Sequence, residues 1–441
     1  MELLQILAGS RTTRNLVAAV EEAVRTGSAR PGDRLPSVRA LAAAAGVSPT
    51  TVAAAYADLR RRGVAVSLPK SAVRIADRPP VTAAHVARPA GPDVRFDCST
   101  FRADPTLLPD LDEAMRAASY DGAPPASYGA APVDPRLAAA ASALVPNGVV
   151  HDVCLASGAL DGVERALATV ASPGDRVAVE DPGHANLLDL LRAAGLVPEP
   201  VAIDDQGMLP EALAAAIGHG ARAVIVTRRA QDPFGAALTA ARASALVEVL
   251  RDHPRVLVIE DDHIGDAGDA AASIAGTTER WVSVCSLAKA FGPDLRIALI
   301  AGDPATVSRL AGRHAVGPGW VSHLLQRTAA HLLADPASEQ LQATARAAYN
   351  ARRVALLGAL AARGIAAHGA SGLATWVPVA DEATVCLRLR DEGILVNPGA
   401  RYRLRSAPAI RIVTANLAER DAPDVAAAIA RATAGVLSRR T

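Results

Sequence analysis

Near the N-terminus the apolar residues follow a helical period. Leu16, Val17, Val20 and Val24 fall on one face of a segment running from 11 to 28, with Gly27 near its end. A second helix is predicted over Val38–Ala45, closed by a Gly46-Val47 turn. A third opens at Ser48-Pro49, because serine accepts a bond from the open first turn and proline lacks a donor where none is needed. It continues through Val52, Tyr56 and Leu59 until Gly63, and Val64-Ala-Val-Ser-Leu and Ala72-Val-Arg-Ile75 then alternate like a two-stranded wing.

From Val150 onward the pattern changes. Short β-rich runs (Val177-Ala-Val, Ala223-Val-Ile-Val226, Val256-Leu-Val-Ile259, Trp281-Val-Ser-Val-Cys285) are separated by alanine/leucine stretches such as Gly158–Ala171, Ala185–Ala194 and Ala240–Arg251. This alternation predicts a largely parallel sheet covered by helices on both faces. Ligands in such sheets sit at the carboxyl ends of the strands. There the polar residues gather: Glu180-Asp181, Asp261-Asp262-His263 and Ser286 to Lys289. Between the two regions, Ala76 to Arg95 holds four prolines without periodicity, which suits an extended connector.

Two helices joined by a glycine turn form a helix-turn-helix, whose second helix enters the major groove of duplex DNA. Charge supports this: residues 1–76 carry eleven Arg/Lys against five acids, or +6, so with +1 overall the remainder carries −5. Cys98, Cys154, Cys285 and Cys386 have no ligand spacing, and the ten histidines form no metal motif, so a zinc site and a disulfide framework are not expected. The chain opens without a basic leader, and no run approaches the ~20 apolar residues of a membrane span, so a soluble cytoplasmic protein is expected. Of 46 basic residues only Lys70 and Lys289 are lysine. Lysine, unlike arginine, loses its proton on desolvation and attacks carbonyls. Lys289 follows a β-rich run and precedes Arg296 by seven residues, which makes it the candidate nucleophile.

The head resembles the GntR-type winged helix in Pro31-Gly-Asp-Arg-Leu-Pro-Ser-Val-Arg39-Ala-Leu-Ala and in Gly46-Val-Ser-Pro-Thr-Thr-Val52-Ala-Ala-Ala-Tyr56. The body resembles fold-type I pyridoxal-phosphate aminotransferases of class I/II. The resemblance lies in Ser157-Gly-Ala-Leu-Asp-Gly, Pro173-Gly-Asp-Arg-Val-Ala-Val-Glu-Asp-Pro-Gly183, Gln231-Asp-Pro-Phe-Gly235, Glu260-Asp-Asp-His263, Ser286-Leu-Ala-Lys289 with Arg296, Gly372-Leu-Ala-Thr-Trp-Val-Pro378 and Ala409-Ile-Arg411-Ile. The whole chain is therefore similar to the MocR-like subfamily of GntR regulators. This implies a multidomain protein: a winged helix-turn-helix at 10–77, a proline-rich linker at 78–95, and an α/β transferase-like body at 96–441. The body would have a large domain with a mostly parallel sheet and a small C-terminal α+β domain from roughly 335 to 441.

Site roles follow from the same resemblance. Lys289 matches the Schiff-base lysine. Asp261 matches the carboxylate that keeps the pyridine nitrogen protonated. Ser157, Gly158, Ala159, Ser286 and Arg296 match the phosphate site, and Arg411 matches the arginine that clamps a ligand carboxylate. His184, His263 and Asp232 stand where an aromatic, a tyrosine and an asparagine are usual; Phe234 replaces a threonine. A carboxylate at 232 would repel the cofactor's phenolate oxygen unless protonated, so a poorly tuned site is expected. Asp262 is expected to be structural or solvated. DNA contacts are expected from Arg34, Ser37, Arg39, Ser48, Thr50, Thr51, Tyr56 and Arg60, with Pro49 in place of a common arginine. The implied partners are an operator duplex, an amine or amino-acid effector and a second copy of the chain. The leading expectation is thus a cytoplasmic regulator that binds pyridoxal phosphate. The alternatives are a working aminotransferase with a DNA-binding appendage, and a repressor whose body has lost the cofactor.

Overall fold

A computed structural model describes residues 2–67, 73–76, 94–119, 128–144 and 152–434. The linker expected over 78–95 lies outside them up to 93, as does Lys70. Contacts divide the chain into two compact units, Met1–Pro89 with Ala171–Arg176 and Asn186–Pro198, and the remainder.

The head has the predicted helices at Thr13–Arg25, Val38–Ala45 and Pro49–Arg61, with strands β1 (Ala65–Ser67) and β2 (Val73–Ile75) paired antiparallel as the wing. Ser48 caps the third helix by accepting from the Thr51 amide at 3.1 Å, and Gly46 closes the second with φ 64, a left-handed turn that glycine adopts without strain. Leu16, Val17, Val20, Leu41, Val52, Leu59 and Ile75 fill the core between them. A short helix at Glu2–Leu7, not expected from the sequence, adds Leu7 to that core.

Arg34, Ser37, Arg39, Ser48, Thr50 and Arg60 are exposed. Tyr56 is not: it is 3% exposed and donates its hydroxyl to the Pro36 carbonyl at 2.7 Å. Its expected DNA contact is corrected accordingly, because its apolar ring fills the core and its one polar atom fixes the Pro36-Ser37 turn. Thr51 is half-buried, its hydroxyl 2.8 Å from that of Ser48 inside the helix cap.

In the body, β3 (Phe96–Asp97) leads to β4 (Asp152–Ala156), β5 (Arg176–Asp181), β6 (Val197–Asp204), β7 (Gly207–Met208), β8 (Ala221–Thr227), β9 (Leu257–Asp262), β10 (Arg280–Ser286) and β11 (Ala298–Gly302). The last eight form one sheet in the order β4-β11-β10-β9-β8-β5-β6-β7. Pairs β8–β9 and β9–β10 are parallel, whereas β11 runs antiparallel to both its neighbours. Three helices, Ala159–Leu167, Ala185–Ala193 and Ala240–Arg251, fall inside the predicted alanine/leucine stretches. The smaller C-terminal part packs helices Pro336–Ala361 and Ala422–Ala434 against a three-stranded sheet of β12 (Ala374–Pro378), β14 (Asn397–Pro398) and β15 (Ala409–Val413). A short β13 (Ile394–Leu395) pairs with β3.

Sheet register brings distant segments together. Asp261 lies opposite Val284 on β10 and Thr227 on β8, so the segments after β10 (Ser286 to Lys289) and after β8 (Arg228 to Asp232) leave the sheet beside it. Ala298 opposite Ala156 brings Arg296 to Ser157 in the same way. Among the described residues no single helix is long and apolar enough to cross a membrane.

Candidate functional site

Lys289 lies on a one-turn helix, Ala288–Phe291, directly after β10. Its Nζ donates to the Phe101 carbonyl at 2.5 Å and lies 4.5 Å from the centre of the Phe101 ring. Burial pushes the amine down to about 8, and the positive charge of Arg411 adds to that, while Asp232 opposes it. A neutral fraction of this amine is therefore present near neutrality, which is the state that attacks a carbonyl.

Asp261 ends the apolar part of β9. Desolvation, then the charges of Asp262 and Glu180, pushes its carboxyl up to about 8. Its Oδ1 is buried and has no hydrogen-bond partner. Such an acceptor is costly unless a ligand supplies the missing donor. Behind it, Asp262 is bound by Arg229 through two bonds of 2.8 and 2.6 Å. Asp262 is therefore structural, and Arg229 is what keeps it ionised against burial. Glu180, on β5, accepts from the Thr227 amide and hydroxyl and from Gln231 Nε2, and burial raises it to about 7.

His263 stands above Asp261, Nδ1 to Oδ2 4.0 Å. Burial, then the neighbouring His184 and Lys289, lowers it to about 4, so its ring is neutral at physiological pH. Its Nε2 is a second buried polar atom without a partner. Half-buried His184 is close enough to act on the charges of both His263 and Asp232. Phe234 turns away from this group and stacks on His368 with ring centres 4.3 Å apart.

Just after β4, Gly158 caps the helix Ala159–Leu167 with φ 101. The Arg296 guanidinium leans over it and donates to the Ser157 carbonyl at 3.3 Å. The φ of 101 at Gly158 is a backbone conformation that other residues adopt only under strain, so glycine is required at this turn; a Cβ there, 2.5 Å from Arg296 Nη2, would also push that guanidinium out of its place. The Ser157 amide is already given to Asp161 at 2.8 Å. Ser157 therefore has its exposed side chain, and not its backbone N–H, to offer a ligand. Ser286, mostly buried, accepts from the Ala288 amide at 3.4 Å.

Asp232 and Arg411 depart most from expectation. Arg411 Nη1 donates to both Asp232 oxygens at 2.9 and 3.1 Å, and Nη2 to the Ser99 carbonyl at 2.7 Å. Burial works against ionisation of Asp232, but Arg411, His184 and His263 outweigh it and hold the carboxyl below its usual range. The carboxylate is thus neither protonated nor loose. Phe101 and Tyr402 flank the guanidinium at 5.3 and 4.8 Å. Ser99, Phe101 and Tyr402 lie in no recognisable motif, and only the fold brings them to Arg411.

These residues fit pyridoxal phosphate. Asp261 would meet its ring nitrogen, Lys289 its aldehyde, and Gly158, Ala159, Ser286 and Arg296 its phosphate; the unpartnered Asp261 Oδ1 and the glycine-only cradle are the observations that support the fit. Gly158→Ala is expected to lower pyridoxal-phosphate affinity about tenfold, since backbone strain of this kind costs on the order of 1–3 kcal/mol. Equilibrium titration by absorbance checks this.

The fold and site define a winged-helix head joined to an aminotransferase-like body. The aminotransferase class I and II family pattern matches residues 101–429, and that of the bacterial regulatory proteins of the gntR family matches 12–75. The chain belongs to the MocR-like GntR regulators. It is 37% identical over 429 residues, 96% of this chain and 98% of the other, to the vitamin B6 salvage pathway transcriptional repressor PtsJ of Salmonella typhimurium. It is 29% identical to the HTH-type transcriptional regulator TauR of Rhodobacter capsulatus over 86% of this chain and 87% of that one. Among solved structures, a Pyrococcus horikoshii kynurenine aminotransferase covers 77% of the chain, and 91% of its own, at TM-score 0.69 and 20% identity. LysN, an α-aminoadipate aminotransferase of Thermus thermophilus, covers 78% and 93% at TM-score 0.68 and 18% identity.

Proposed function

We propose that this protein is a cytoplasmic, dimeric transcriptional regulator of vitamin B6 metabolism that binds an operator duplex through its head and pyridoxal phosphate on Lys289 in its body. The observation that carries the reading is a desolvated lysine and a buried, unpartnered carboxylate oxygen that both adjoin His263. Near-full-length likeness to a B6 salvage repressor supports the choice of pathway. When bound, pyridoxal phosphate supplies an aldehyde for covalent attachment and an electron-withdrawing ring. Here Lys289 would anchor it, Asp261 would hold the proton at the ring nitrogen, and the Gly158–Arg296 cradle would orient its phosphate.

In the head, exposed Arg39 and Thr50 would read the major groove and Arg34, Ser37, Ser48 and Arg60 would engage the backbone or base edges beside them. The cofactor would bind one body conformation better than another and so shift the population competent for DNA. A gel-shift assay on the promoter region of its own operon tests this. Pyridoxal phosphate is expected to change the apparent affinity, and Arg39→Ala to weaken binding by about 1–3 kcal/mol. An affinity unchanged at every cofactor concentration would refute ligand control.

The enzymatic alternative is disfavoured by one observation: the arginine needed to hold a substrate carboxylate is already paired within the protein. Sustained amino transfer to a keto acid would reverse that judgement.

A further inference from the structure

A buried guanidinium beside a reactive amine is, by its chemistry, a binding site for a carboxylate, because its planar fork matches two carboxylate oxygens. In this protein the fork is filled from within. Arg411 and Asp232 are each 4% exposed and joined by two bonds from Nη1. Nη2 gives one of its two hydrogens to the Ser99 carbonyl, and Phe101 and Tyr402 hold the guanidinium from its sides. The Nε–H and the second Nη2–H are left over, but a carboxylate bound on that edge would lie against a guanidinium whose charge Asp232 already neutralises. The same Phe101 ring contacts both Lys289 and the Arg411 guanidinium, so the blocked fork and the amine are neighbours.

We propose that Asp232 acts as a built-in carboxylate that selects the ligand class: it excludes amino acids and other amine carboxylates and leaves the pocket to carbonyl compounds that carry no carboxylate, such as a B6 aldehyde. This deepens the function proposed above, since it removes amino acids from the effector candidates. A ligand carboxylate reaching Arg411 would have to displace Asp232 and leave that buried acid without its counter-charge, or lie beside it as a second negative charge. An aldehyde without a carboxylate meets neither obstacle. Position 232 is thus a specificity-determining residue.

The test is a calorimetric titration of the full chain, freed of cofactor, with succinate and with L-glutamate. Wild type is expected to give no saturable heat. Asp232→Asn, which keeps a similar shape but surrenders the charge, is expected to bind both probes about ten- to hundredfold more tightly than wild type, the range set by a charged hydrogen-bonded pair. Adding Arg411→Ala to that variant should abolish the gain. Saturable binding to wild type equal to that of the variant would overturn the proposal, and so would a folded Asp232→Asn that still binds neither probe. Should the amide variant not fold, Asp232→Ser carries the same comparison. Because no cofactor is present, failure here is separate from failure of Lys289 to take pyridoxal phosphate.

Discussion

Asp232→Ala will destabilise the body by about 3–5 kcal/mol, the cost of leaving one partner of a buried ion pair uncompensated. Few single substitutions are expected to cost more, because both partners are almost fully buried and the guanidinium's other bond goes to the neutral Ser99 carbonyl. Removing both, as Asp232→Ala with Arg411→Met, should recover much of the loss, since burying an apolar side chain carries no desolvation penalty. Denaturant midpoints of the single and double variants measure this. A single-variant loss below about 1 kcal/mol, the range of exposed pairs, would mean that the two charges are not sealed from water as the geometry indicates.

Lys289→Ala will abolish covalent capture of pyridoxal phosphate and, with it, the cofactor's effect on DNA binding, while DNA affinity without cofactor stays as in wild type. The head and its core contain no part of the site, so the two readouts separate. Capture by wild type also has a predicted pH profile. Burial lowers the lysine to about 8, so the neutral amine is the minor form below that value and the main form above it. The trapping rate should rise close to tenfold per pH unit below 8 and level off above it. Rapid-mixing absorbance at a series of pH values checks this; a profile still rising toward 10 would place the lysine in water.

Much of this architecture was legible in the sequence because it rests on local signals. Ser48-Pro49 and Gly46 mark helix ends by backbone chemistry, and they cap helices in the structure. The β-branched runs ending in acids gave the central strands, and parallel pairing then brought Asp261 to the Ser286–Lys289 segment. What failed to show was long-range. Asp232 and Arg411 are 179 residues apart, and nothing in either segment announces that one neutralises the other. The sequence showed a misplaced carboxylate and an available arginine, whereas the fold makes them a single unit. Phe101 was hidden for a similar reason: it touches Lys289 through its backbone oxygen, an atom every residue has. Tyr56 carried a plausible polar group, but its ring was needed by the core. The antiparallel β11 and the N-terminal helix Glu2–Leu7 escaped notice because short apolar segments look alike as strand, helix or loop.

Hydride trapping followed by peptide mass spectrometry bears most directly on a body that holds a B6 aldehyde on one lysine. With only Lys70 and Lys289 to choose between, the assignment is unambiguous among side chains. Protein saturated with pyridoxal phosphate and then reduced should carry a single stoichiometric pyridoxyl group on the peptide containing Lys289. An unmodified Lys289 peptide, or label on Lys70 instead, would contradict the account.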